Sequence, residues 1–162
     1  MTDIYKMATL NINGTASKTR LEVLEEFLRR QEIDIAFLHE VTHPHLNNLN
    51  RYTAYINEGT TRRGTAILAR EGIILTNVTR LHSGRDIAAK YQGMWLVNIH
   101  APSGAARRSE RENFYNGELT YLLPASPFEM ILAGDFNWIL TKKKTAAASS
   151  IIAEHFSWIK PH

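Results

Sequence analysis

The sequence predicts an α/β layered sandwich, and three observations carry that prediction. Apolar, strand-like runs end abruptly in polar residues; helix-like stretches separate some of these runs; only a few residues separate others. Strands joined through a helix-length crossover pair in parallel, whereas strands parted by a tight turn pair antiparallel. A chain mixing both kinds of connection builds mixed sheets covered by helices rather than one purely parallel sheet.

Taken in order, Met7-Ala8-Thr9-Leu10-Asn11-Ile12 is strand-like and stops at the turn signal Asn13-Gly14. Thr19-Arg20-Leu21-Glu22 has capping-box form, a hydroxyl with a glutamate three residues on. Leu21, Leu24, Phe27 and Leu28 then mark one face of a helix ending near Gln31. Ile33-Asp34-Ile35-Ala36-Phe37-Leu38 is the next strand, and it delivers His39 and Glu40 at its end. Residues 52–56, 65–69 and 73–78 read as three short strands, and only Arg70-Glu71-Gly72 parts the last two, which predicts a hairpin meander. Trp95-Leu96-Val97-Asn98-Ile99 is a stronger strand, stopped by His100-Ala101-Pro102-Ser103-Gly104. A second capping box, Ser109-Glu110-Arg111-Glu112, opens a helix with Tyr115, Leu119 and Leu122 on one face, and Pro124 ends it. Met130-Ile131-Leu132-Ala133 is a buried strand that runs into Gly134, Asp135, Phe136 and Asn137.

The 162 residues suffice for one domain with a sizeable core, and 44% hydrophobic with 22% charged content is that of an ordinary globular protein. No apolar run approaches the roughly 20 residues of a membrane span, and Asp3, Lys6 and Asn11 interrupt the N-terminus too early for a secretory signal. Neither a membrane nor export is therefore expected. Cysteine is absent, which excludes disulfide and thiolate–metal chemistry. The formal charge is only +3, but the isoelectric point is near 9.3 and arginines come together, at Arg29-Arg30, Arg62-Arg63, and Arg107-Arg108 with Arg111. Guanidinium forks match phosphate oxygens, so a polyanionic partner is one reading and a solvated surface the other. The tail changes character: Lys142-Lys143-Lys144 leads into a simple Thr/Ala/Ser stretch, and Ile151, Ile152, Phe156 and Ile159 suit a short helix over 151–159. The expected division is a domain over 1–140 and a divergent tail over 141–162.

The chemistry gathers where strands end. Asn11, Glu40, His100, and Asp135 with Asn137 each follow an apolar run, and a strand in a packed sheet holds its terminal side chain more tightly than a loop would. Phosphodiester cleavage needs oxygen ligands for a hard cation, a group to orient or deprotonate water, and neutral donors for phosphate oxygens. Glu40, Asp135, Asn11 and Asn137 are suitable types. Each also has a plainer role: Asn11 can cap the Asn13-Gly14 turn, Asp135 with Asn137 can form an Asx turn, Glu40 can be a solvated strand end, and His100 can bond to a loop.

Five motifs in order, "ATLNINGT" (8–15), "IAFLHEVTH" (35–43), "GTAILAR" (64–70), "WLVNIHAPSG" (95–104) and "ILAGDFN" (131–137), resemble the endonuclease/exonuclease/phosphatase superfamily. Within it they are most similar to the endonuclease domain of non-LTR (LINE-type) retrotransposons. The resemblance implies a four-layer α/β sandwich, two packed mixed sheets flanked by helices, incomplete at its C-terminus. It implies a Mg²⁺-dependent (alternatively Mn²⁺-dependent) phosphodiesterase that nicks DNA, intracellular and nuclear. Glu40 corresponds to the metal-binding glutamate, with Asn11 helping at metal and phosphate. Asp135 corresponds to the aspartate that orients or activates water, and Asn137 to the asparagine that steadies the phosphate. His100 stands where relatives usually have a tyrosine beside the phosphate, Ser103 near a frequent asparagine, and His39 in place of a glutamine. Ser103, Arg107 and Arg108 are the expected substrate-binding residues.

Family members close with an aspartate–histidine pair many tens of residues after this last strand. Here 25 residues follow Asn137, and Glu154-His155-Phe156 is the nearest counterpart. The expectation is truncation, with a loss in rate on the order of 10²–10⁴-fold if the histidine is missing. The alternatives are a non-catalytic remnant that binds nucleic acid weakly, or a phosphatase of the same fold acting on a phospholipid or inositol phosphate.

Overall fold

A computed structural model describes residues 4–14, 17–42, 45–59, 64–123 and 129–137. In chain order the elements are β1 (Met7–Asn11), α1 (Lys18–Arg30), β2 (Ile35–Val41), β3 (Tyr52–Asn57), β4 (Gly64–Arg70), β5 (Thr76–Arg80), β6 (Asp86–Tyr91), β7 (Met94–His100), α2 (Arg108–Asn113), a π-helical turn (Phe114–Glu118), α3 (Leu119–Leu122) and β8 (Met130–Asp135). Two four-stranded mixed sheets form, with strand orders β1-β2-β4-β3 and β5-β6-β7-β8. In each sheet one parallel pair, β1–β2 or β7–β8, is joined through helix, and the other pairings are antiparallel.

Three apolar layers hold this together, and strand alternation sorts residues among them. Ile35, Phe37, Ile67 and Ala69 face inward to meet Ile87, Ala89 and Leu96 of the other sheet. Ala36, Leu38, Ala66 and Leu68 face outward beneath Leu21, Leu24 and Leu28 of α1. On the opposite outside, Ala88, Val97, Ile99 and Met130 lie under Phe114, Leu119 and Leu122. Helix, sheet, sheet, helix: the four-layer sandwich is the observed architecture. The chain forms it because β2, β4 and β7 are apolar on both faces, as strands covered on both sides must be.

Several local expectations change. The N-cap of α1 is Ser17, whose hydroxyl accepts from the Arg20 amide, so Thr19 lies inside the helix. Ser109 likewise lies inside α2, after a short 3₁₀ turn over Ala105–Arg107. The expected hairpin across Arg70-Glu71-Gly72 does not form. β4 and β5 belong to different sheets, β5 begins only at Thr76, and buried Ile73 and Leu75 carry the chain across the inter-sheet core. β6 was not legible: Asp-Ile-Ala-Ala-Lys-Tyr starts with a charge and carries two alanines of low strand propensity. Its hairpin to β7 turns at Gln92-Gly93, both with positive φ, 47° and 83°. Arg62-Arg63, Pro124 and the tail over 141–162 lie outside the described residues.

Asp86, fully buried at the start of β6, accepts a bond from the Leu81 amide at 3.1 Å and lies beside the Glu118 carboxylate. Burial, then repulsion from Glu118, pushes its carboxyl up to about 7. The folded state thus holds a proton that the unfolded state releases near pH 4, so this group's contribution is full below that pH and drains away as pH rises toward 7. Asp86→Asn can keep the Leu81 bond and donate to Glu118. The melting temperature of the variant relative to the parent is expected to climb between pH 4 and pH 8, by the equivalent of roughly 1–4 kcal/mol. A pH-independent difference in thermal melts would refute this assignment.

Candidate active site

Parallel pairing puts the carboxyl ends of both partners at one end of a sheet. In the first sheet Asn11 pairs with His39, and in the second His100 pairs with Asp135. β1 and β2 touch β8 across the sandwich, so the two mouths face one another. Asn11, Glu40, His100 and Asp135 therefore share one end of the molecule, although 124 positions separate the first from the last.

Glu40 is aimed by a β-bulge. The β2–β4 register shifts between His39 and Val41, and Glu40 takes φ 56°, a left-handed conformation uncommon for a non-glycine residue. The Gly14 amide donates to its carbonyl at 2.8 Å, so the Asn13-Gly14 turn secures the bulge. Asn11 plays two parts: its Oδ1 accepts from the Asn13 amide and its Nδ2 donates to Glu40 Oε1, each at 3.0 Å. The capping reading is realised, and the same side chain also meets Glu40. His100 Nε2 lies 4.0 Å from the same Glu40 oxygen, with the two side chains 12% and 20% exposed.

The second mouth depends on Gly134. At φ 143°, a Cβ there would lie 2.0 Å from the Ile99 carbonyl oxygen, so β7 and β8 meet this closely only because the residue is glycine. Beyond it Asp135 Oδ1 accepts from the Asn137 amide at 3.0 Å, an Asx turn. Asn137, at φ 45°, turns its side chain back to the Ala101 carbonyl at 2.6 Å, while the Ala101 amide donates to the Asp135 carbonyl. The plain turn again exists, and here it sets the direction of the carboxylate.

Between the mouths lies His39, 2% exposed, with its ring 6.0 Å from that of His100. Its Nε2 is 2.7 Å from Asn98 Oδ1, and Asn98 Nδ2 donates to Leu38 O at 3.0 Å and Ala66 O at 2.9 Å. The Asn98 amide nitrogen is committed to two carbonyls, so its oxygen is the acceptor and His39 Nε2 carries the proton. Burial lowers the His39 pKa, partly opposed by the Asn98 bond and by Asp135 and Glu40, whose fields it feels together. Arg85, 13% exposed, also escaped the sequence reading: it pairs with Glu110 at 3.0 Å and donates to His100 O at 3.4 Å. Asn98 had a signal, a lone amide inside an apolar strand. Arg85 had none.

The expected substrate-binding residues are not drawn in. Ser103, Arg107 and Arg108 are exposed, with Arg107 turned to Glu110 at 3.7 Å and Arg108 to Glu112 at 2.8 Å. Arg111 instead braces the loop after β7, donating to the Pro102 and Gly104 carbonyls. Among the described residues no three His, Cys, Asp or Glu side chains gather closely enough to hold an ion alone. The donor set still suits a hard divalent cation, which accepts one protein carboxylate and completes its shell with water and substrate phosphate. Glu40, held by the Asn11 amide, offers a carboxylate at this mouth.

A family model for the endonuclease/exonuclease/phosphatase family matches residues 8–150. The chain belongs to this family. Solved structures of similar fold include an AP endonuclease from Archaeoglobus fulgidus (TM-score 0.66, 20% identity, 83% of this chain and 58% of that one). Others are Neisseria NExo, a 3′ phosphatase bound to a product DNA hairpin (0.67, 18%, 83% and 58%), and D. rerio TDP2 with a single-strand DNA product (0.66, 18%, 93% and 64%). The chain thus spans less than two thirds of each of these structures. No curated protein sequence matches it.

Two substitutions test how the family's sandwich holds this site. Asn98→Ala strips partners from two buried carbonyls and from His39, and a loss of about 2–4 kcal/mol in urea unfolding is expected. Gly134→Ala forces β8 off β7; a drop in melting temperature, with changed NMR shifts at Asp135 and Ala101, is expected. An unmoved spectrum would refute the close-approach argument.

Proposed function

We propose that this protein is a divalent-metal-dependent phosphodiesterase that nicks DNA, of the LINE-type, apurinic-endonuclease-like kind, with Mg²⁺ as its ion and the nucleus as its place of action. The observation that supports this most is the convergence of Glu40 with Asn11 and of Asp135 with Asn137 at facing ends of two parallel strand pairs. DNA in the NExo and TDP2 structures supports the choice of substrate, as does the basic isoelectric point near 9.3.

In this reading Glu40 holds the ion, which when bound neutralises charge developing on the phosphate. Asp135, its carboxylate oriented by the Asn137 amide, turns a water toward phosphorus and takes its proton. As the new P–O bond forms, the bond from phosphorus to one bridging sugar oxygen breaks, and that oxygen leaves and takes a proton from solvent. One Asn137 side-chain N–H is spent on Ala101 O; the second is directed by that bond and donates to a phosphate oxygen. His100 supplies a further donor beside Glu40, with an imidazole's shorter reach where relatives have a tyrosine.

A second reading is binding without cleavage, which the basic isoelectric point near 9.3 supports without calling on any catalytic group. Incubation of supercoiled plasmid with the folded chain and Mg²⁺ separates the two. Nicked circles that disappear with EDTA and fall at least 100-fold with Asp135→Ala are expected. Retarded plasmid without nicking, from protein that melts cooperatively, supports the second reading and overturns the first.

A further inference from the structure

We propose that Tyr115 is a positioning residue for the Asp135–Asn137 pair, acting through the peptide that joins Phe136 to Asn137. The Tyr115 hydroxyl donates to the Phe136 carbonyl oxygen. The amide at the other end of that same peptide unit is the Asn137 N–H, which Asp135 Oδ1 accepts at 3.0 Å. A peptide unit is planar, so its carbonyl and N–H rotate together. Tyr115 holds one end of the plane and the Asp135 carboxylate the other. The orientation of the carboxylate is thus tied to a side chain 20 positions earlier, on a different layer of the sandwich.

The π-helical turn puts Tyr115 there. At 100° per residue, Phe114 and Leu119 in an uninterrupted α-helix would lie roughly 140° apart around the axis. The wider five-residue turn brings them to one face, and both are buried against the outer side of the second sheet. Tyr115, seated edge-on against Phe114 with ring centroids 5.4 Å apart, is carried toward the β8 exit. Glu118 fixes the far end of the turn by accepting from the Ser83 hydroxyl. Burial and the nearby Asp135 carboxylate push the Tyr115 hydroxyl well above its usual 10, so it remains a donor at every working pH.

The inference rests on the phosphodiesterase reading for its catalytic consequence, and its structural half is tested separately. Tyr115→Phe in the full chain keeps the ring and deletes only the hydroxyl; Tyr121→Phe, at a tyrosine 83% exposed, is the control. Amide exchange at Asn137, followed by NMR, should quicken about tenfold in the first variant, with β7 amides and the melting temperature nearly unchanged. In plasmid nicking kcat should fall about tenfold with KM held, the signature of a group needed in the transition state only. Unchanged exchange at Asn137 overturns the positioning claim. Quickened exchange with unchanged kcat overturns its catalytic half. If neither parent nor variant nicks, the phosphodiesterase reading fails and the exchange result alone decides whether Tyr115 orders the pair.

Discussion

A buried amide, Asn98, ties the two sheets together beside the residues that carry the chemistry. Apolar packing between sheets is non-directional, and it would tolerate sliding of one sheet over the other. The Asn98 side chain does not: it donates to carbonyls of β2 and β4 and accepts from His39, so it ties β7 to two strands of the opposite sheet at fixed points. The cost of leaving such groups unpaired in the interior, about 1–3 kcal/mol each, makes the register between sheets nearly obligatory. Glu40 follows His39 and His100 lies two residues beyond Asn98, so fixing the clamp fixes the distance between the two mouths.

Backbone strain accumulates at those mouths. Glu40 and Asn137 both adopt positive φ, at 56° and 45°, and Gly134 sits where any side chain would strike Ile99. Elsewhere positive φ falls mainly in turns, where it serves chain reversal. At Glu40 it occurs within a strand, and the neighbouring ladder with the Gly14 amide holds it in place. The bulge turns the carboxylate toward Asn11 and His100 rather than along the sheet face.

The plain readings of these residues and the chemical ones are compatible. Asn11 caps its turn with one end of the amide and holds Glu40 with the other; Asp135 closes an Asx turn with one oxygen. A short polar side chain that bonds its own backbone loses rotational freedom, and such pre-organisation is what a phosphate-handling site requires. Among the described residues β1 and β8 are the outer strands on this side of their sheets.

By itself the sequence determined the α/β class, the strand ends that carry Asn11, Glu40, His100, Asp135 and Asn137, and the family. These are legible because they are local: apolar runs of strand length, punctuation by glycine and asparagine, and motifs in order. Tertiary structure alone decided that β5 leaves the sheet of β4 and that Asp-Ile-Ala-Ala-Lys-Tyr is a central strand. It also decided that a π-helical turn brings Tyr115 to Phe136, and that Arg107 and Arg108 turn to neighbouring glutamates. Each of these depends on which surfaces meet. Ile73 and Leu75 become an inter-sheet crossing because apolar area is there to bury them, and Asp86 enters the core where the Leu81 amide donates to it. Propensity read along a chain does not contain the crossing of Ile73 and Leu75 or the reach of Tyr115 to Phe136, since those partners lie on another layer.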